Sequence, residues 1–202
     1  MAMLFNGATL FNQPIGSWDT AQVTTMEGMF LGARTFNQPL ANWNVQKVQN
    51  FDEMFRQAAS FNHPLTTWKT DQAISMSYMF SETHAFNQSL NSWNTAGVLR
   101  MDYMFLKATS FNGDISSWNV SKVSTIKGMF QEAGLFNQNI QNWNVSGATY
   151  MEYMFYNAYN FSQNLMGWCV DKVTTTPSNF TYAGSIFHEA QHPIWGTCPT
   201  GD

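Results

Sequence analysis

The sequence predicts a repeat solenoid, mainly α, wound as a right-handed superhelix of 25-residue helix-loop-helix units. Three observations predict it. Large aromatic residues recur at an unbroken interval: Phe at 11, 36, 61, 86, 111, 136 and 161, Trp at 18, 43, 68, 93, 118, 143 and 168, and a second Phe at 5, 30, 55, 80, 105, 130, 155 and 180. Aliphatic and Met columns fill the space between them, such as Ile15, Leu40, Leu65 and Leu90, and Met29, Met54, Met79 and Met104. The second half of each unit spaces its apolar residues by three and four, the period of an amphipathic helix. One unit cannot bury a Trp, two Phe and two Met alone, whereas a stack of units turns these columns into a continuous core.

Within a unit, the first half carries the column Pro14, Pro39, Pro64, Ser89, Asp114, Asn139, Asn164. Proline cannot donate to a sheet ladder, and Pro, Ser, Asp and Asn are residues that begin helices. A short helix of one or two turns is therefore expected there, followed by a turn at "WNVS" and a longer helix. In "SKVSTIKGMFQEA" that longer helix would place Val123, Ile126, Met129, Phe130 and Ala133 on one stripe, with Ser121 as its N-cap. Ser146 and Asp171 are the equivalent caps in later units. The alternative is a leucine-rich-repeat-like solenoid with very short parallel strands near "WNV". The array spans residues 1–173, about seven units, and starts in mid-repeat, which reads as truncation at the N-terminus. Residues 174–202 read as a degenerate repeat and C-terminal cap, because Pro177 interrupts the pattern although Phe180 and Ala183 keep register.

Two polar columns admit two readings. Asn12, Asn37, Asn62, Asn87, Asn112 and Asn137 form the first; Asp19, Asn44, Lys69, Asn94, Asn119, Asn144 and Cys169 form the second. One reading is an asparagine ladder that satisfies turn backbone. The other is a row of Ca²⁺ sites, with Asp19, Asn44, Asn94, Asn119 and Asn144 as the oxygen ligands. Lys69 and the scarcity of carboxylates argue against a metal in every repeat. No cofactor is required by anything else in the sequence.

Charged residues are 11% of the chain, and the net charge is −4. With no basic stripe, nucleic acid and anionic membranes are poor partners. No stretch of about 18 apolar residues is present to insert into a membrane. Cys169 and Cys198 are placed to staple the tail to the last coil, which would place the protein outside the cell; two free thiols are the other reading. "HEAQH", residues 188 to 192, matches the H-E-x-x-H pattern in which two His bind Zn²⁺ and Glu189 activates water. Pro193 follows at once, and only Asp202 remains downstream as a third ligand, so a structural role is favoured over a small metalloprotease. His63 and His84 occupy unrelated repeat positions, so no nucleophile, base and orienting group recur together.

The repeat "FNQ-[PD]-I-x-x-W-N-V-S-x-V-x-x-M-x-x-M-F-x-x-A" resembles the BspA-like surface-protein repeat family, in its approximately 25-residue Mycoplasma-type form of unknown function. "FNGDISSWNVSKVSTIKGMFQEA", 111 to 133, is the nearest unit. The resemblance implies a secreted or cell-surface protein engaged in adhesion, and it carries no catalytic residues. The expected function is a non-enzymatic extracellular module of a larger surface protein, an adhesive or spacer array, monomeric as a fragment. Its partner would be a surface protein or glycan. Binding candidates are Tyr78, Tyr103 and Tyr153 in one column, with Tyr156 and Tyr159, although these rings could also fill grooves between repeats.

Overall fold

The computed structural model describes residues 1–182 and 184–199; Ala183 and Asp202 lie outside the described residues. The expected helices do not form. Among the described residues the one regular helix is a 3₁₀ turn at Glu189–Gln191. Strand pairing among the described residues is confined to isolated parallel bridges that join Thr25, Asn50, Ser75, Arg100, Thr125 and Tyr150 in sequence. The mainly-α solenoid, its right-handed superhelix of helix-loop-helix units and the strand-based leucine-rich-repeat alternative are all overturned. The chain is instead a stack of layers, each a circuit of turns.

Backbone handedness explains the correction. In every unit two positions take left-handed φ. The first holds Met3, Gly28, Glu53, Tyr78, Tyr103, Gly128 and Tyr153; the second holds Gly7, Gly32, Gln57, Glu82, Lys107, Glu132 and Asn157, all with φ between 53° and 72°. A right-handed helix cannot pass through such residues. The segment therefore breaks into overlapping turns, in which Met29 N–H donates to Met26 O, Leu31 to Gly28 and Ala33 to Phe30. Those turns link residues three apart, so the apolar spacing of three that reads as helix is the spacing of successive turn corners. Trp18 to Ile15, Val23 to Thr20 and Phe36 to Ala33 close the remaining turns of the circuit in the same way.

The alternation also satisfies the backbone between layers. Met26, Gly28, Phe30 and Gly32 send their N–H groups to the next layer, onto the carbonyls of Asn50, Asp52, Met54 and Arg56. The residues between them donate within their own layer. The same outward bonds run from Met76, Tyr78, Phe80 and Glu82, and from Met101, Tyr103, Phe105 and Lys107; between them Ser77 N–H turns back to Asp52 Oδ1 of the preceding layer. A buried stack is tolerable only because these amides are paired.

Side chains complete the register. In each layer the two Phe rings stack against one another, at 4.0 Å for Phe30–Phe36 and 3.8 Å for Phe130–Phe136. Between layers they stack in columns, at 5.5 Å for Phe55–Phe80 and 6.0 Å for Phe86–Phe111. The Trp column stacks likewise from Trp68 to Trp143. Each indole N–H reaches back to the layer before it: Trp43 to Ile15 O, Trp68 to Leu40 O, Trp93 to Leu65 O, Trp118 to Leu90 O, Trp143 to Ile115 O and Trp168 to Ile140 O. These Trp are buried, whereas Trp18 in the first layer is 39% exposed.

The far end is closed differently. Phe180 and Phe187 meet Phe155 edge-on, at interplanar angles of 85° and 77°, so the parallel stacking stops there. Both rings are buried. The tail then returns over the last full layer, where Leu165 N–H donates to Gln191 O and Val170 N–H to Thr197 O. The Cys169–Cys198 disulfide pins it, as the cysteine placement predicts. No described helix is long and apolar enough to cross a membrane.

Two substitutions separate the terms that hold the stack. Phe105→Ala removes a fully buried ring and should cost about 3–5 kcal/mol. Trp118→Phe keeps an apolar ring but removes the inter-layer hydrogen bond to the Leu90 carbonyl, which retains only the Trp93 N–H, at about 0.5–1.5 kcal/mol. Urea unfolding of the two variants beside the wild type measures both losses.

Candidate functional site

The tyrosine column is built by the first left-handed position. Side chains there lie along the stack over the equivalent residue of the next layer. Tyr78 and Tyr103 stack at 4.9 Å, and the Arg56 guanidinium sits 5.1 Å from the Tyr78 ring centre. Tyr103 in turn packs on Gly128, where an added Cβ would collide with its ring. Burial, with the neighbouring Tyr103 next in weight, raises the Tyr78 phenol above its ordinary value. Tyr78, Tyr103 and Tyr153 are half-buried. Tyr156, also half-buried, meets Tyr153 edge-on. Tyr159 is exposed and packs edge-on against Tyr182. The structure thus divides the five candidates: four lie along the layers and one faces solvent at the cap.

The polar columns are occupied by backbone. The Oδ1 atom of Asn12 accepts from Asn37 N–H, Asn37 from Asn62, Asn62 from Asn87, Asn87 from Asn112, Asn112 from Asn137 and Asn137 from Ser162. In the second column each oxygen closes a local turn: Asp19 accepts from Ala21 N–H, Asn44 from Gln46, Asn94 from Ala96, Asn119 from Ser121 and Asn144 from Ser146. Ser121 and Ser146, expected as helix caps, donate their hydroxyls to these same Asn oxygens. All five candidate Ca²⁺ ligands are exposed, and each has its oxygen on a backbone amide.

The HEAQH segment does not assemble a zinc site. It forms the three-residue 3₁₀ turn at Glu189–Gln191. His188 and His192 flank that turn in extended conformation, so they do not share the face that two His four apart share on an α-helix. His188 is exposed, while His192 turns inward against Phe187 at 4.5 Å and Phe180 at 5.4 Å. The His192 Nε2 atom is buried and unpartnered among the described residues. Gln191, not a histidine, holds the segment down, donating its side-chain amide to Ser162 O. Among the described residues the one convergent group of metal-binding types is Cys169, Asp171 and Cys198, and there the two sulfurs are spent in the disulfide. His63 and His84 each bond to a carbonyl of an adjacent layer, Asn37 O and Lys107 O.

A cleft of about 390 Å³ opens in the cap between residues 176–181 and 189–195. Glu189 and His192 line it, together with Asn179 and Trp195, which the sequence reading did not propose as site residues. The one available signal was that Trp195 stands outside the Trp column.

Burial holds the His192 imidazole below its ordinary value of 6.5, against a hydrogen bond to Phe187 and the charge of Glu189, which act to raise it. The folded cap therefore disfavours the proton. Stability is full above the ordinary imidazole value and falls as pH drops through it toward the lowered folded value. Acidification from about pH 7 to about pH 5 should lower the thermal midpoint of the wild type more than that of His192→Phe.

No curated protein matches the chain. One family does, and its two overlapping matches, residues 1–93 and 74–192, run through the repeats and into the cap. A match that repeats along one chain is what a stack of equivalent layers produces, and by it this chain belongs to the family described as Mycoplasma protein of unknown function, DUF285.

Proposed function

We propose that the chain is a non-enzymatic extracellular array, a module of a surface protein that supplies reach and an adhesive or spacer surface. The observation that carries this reading is where the repeated side chains go. Aromatic, methionine, indole and asparagine columns are all consumed in joining one layer to the next. The repeats therefore extend a surface without recurring catalytic groups. The disulfide at the cap fits an oxidising compartment. The likeness of the repeat to BspA-like surface proteins points the same way. The separation of His188 from His192 supports the non-enzymatic part. No metal is needed for the fold, since turn and ladder amides already fill the candidate oxygens.

Antibody labelling of intact native cells tests the location, and labelling only after permeabilisation would contradict it. Purified protein supplied with Zn²⁺ should leave peptides uncut; cleavage abolished by Glu189→Gln would overturn the non-enzymatic reading. Unfolding in EDTA and in millimolar Ca²⁺ should give coincident midpoints, because a cation that bound the folded state would raise its stability.

A further inference from the structure

We infer that the cap carries a binding groove for a neutral saccharide, formed by the HEAQH segment facing residues 176–182. The cleft of about 390 Å³ is joined by a second of about 370 Å³, and the two share Thr181 and Glu189. Each falls within the size range of small-molecule sites, about 300–1,000 Å³. The two clefts adjoin at Thr181 and Glu189, and paired clefts suit a chain of sugar rings better than a single one.

The chemistry of the walls selects the ligand. Trp195 lines the first cleft, half-buried and held edge-on by Phe180 at 4.9 Å, and offers an indole surface for the apolar face of a sugar ring. Asn179, in the left-handed region at φ 53°, lines the cleft and brings an amide to its wall residues. Thr176 and Thr181 add hydroxyls, each able to donate and accept. Glu189 is exposed and makes no ion pair among the described residues. A carboxylate in that setting accepts hydrogen bonds and calls for hydroxyl donors. No Lys or Arg lines either cleft, so phosphate, sulfate and acidic sugars are disfavoured. A quaternary amine would want a cage of open ring faces; of the rings lining the clefts Phe180 and Phe187 are buried in the core, while Thr176, Asn179, Thr181, Ser185 and Glu189 add polar groups. The groove thus gives the HEAQH segment a role that its missing metal geometry leaves open. It also places a ligand site where the repeating columns end. The inference deepens the adhesive reading and rests on its non-enzymatic part.

The test is isothermal titration of the full chain with neutral disaccharides (maltose, cellobiose, lactose and diacetylchitobiose), with choline as the amine control. At least one disaccharide should bind saturably with Kd of about 1 mM, and Glu189→Ala should weaken it by about tenfold or more. Asn179→Gly, which keeps the left-handed backbone, should weaken it as well, and neither variant should move the thermal midpoint. Three results overturn the inference: no disaccharide binding at about ten times that concentration, affinity unchanged in the Glu189→Ala/Asn179→Gly double variant, or competition by choline. Such a failure leaves the array reading standing as a spacer, because that reading falls only on the cell-labelling and cleavage results.

Discussion

Layers can stack face to face only if every backbone polar group trapped between them finds a partner. That constraint governs the rest of this structure. The chain meets it by alternating right- and left-handed residues, so that one N–H turns inward to its own layer and the next turns outward to its neighbour. Where the alternation ends, side chains take over: the indole of each Trp from Trp43 to Trp168 reaches a carbonyl 28 residues earlier, and each Asn amide oxygen of the ladder takes an N–H 25 residues later. The aromatic columns then fill the interior with near-parallel rings that stack both within a layer and between layers. Packing and hydrogen bonding thus specify the same register. A slip of one residue would lose both at once.

This explains which parts of the architecture can be read in the sequence. The interval, the columns that form the core and the decay after residue 173 are written directly, because each layer must present the same ring to the ring above it. The asparagine ladder is also legible in outline, since Asn12 and its equivalents sit where turns need an acceptor. Secondary structure is not. Val123, Ile126, Met129 and Ala133 have helical spacing, yet they are corners of turns that share the same interval of three. Only Gly7, Gly28, Gly32 and Gly128 put glycine at the left-handed positions; Glu53, Glu82, Lys107 and Glu132 stand at others, residues that favour helices. Stacking overrode their propensity, because the outward N–H group of each is needed by the next layer.

The cap shows the opposite relation between sequence and structure. Phe180 holds its place in the Phe column, but its ring turns edge-on, and Phe187 from outside the repeat comes beside it. The end of the core is thereby covered by rings that offer no parallel face for a further ring. Around them the tail folds freely, tied by Gln191, Val170 and the disulfide. Released from the repeat, it can vary in chemistry. His188, Glu189 and His192 carry the pattern of a zinc site, but the short 3₁₀ turn sends them apart and leaves Glu189 between two clefts. Motif spacing has meaning only on the element it presumes. The repeated layers extend the molecule, and chemical individuality gathers at its closed end.

The central claim, that Trp indoles clasp successive layers, is tested most directly by hydrogen exchange of the indole N–H groups, followed by NMR in ²H₂O. The structure pairs the indoles of Trp43, Trp68, Trp93, Trp118, Trp143 and Trp168 with buried carbonyls and leaves Trp18 partly exposed. Those six should exchange slowly, through openings of the stack, while Trp18 exchanges orders of magnitude faster. Uniformly fast exchange along the column would contradict the account, because the layers would then be joined by something other than this clasp.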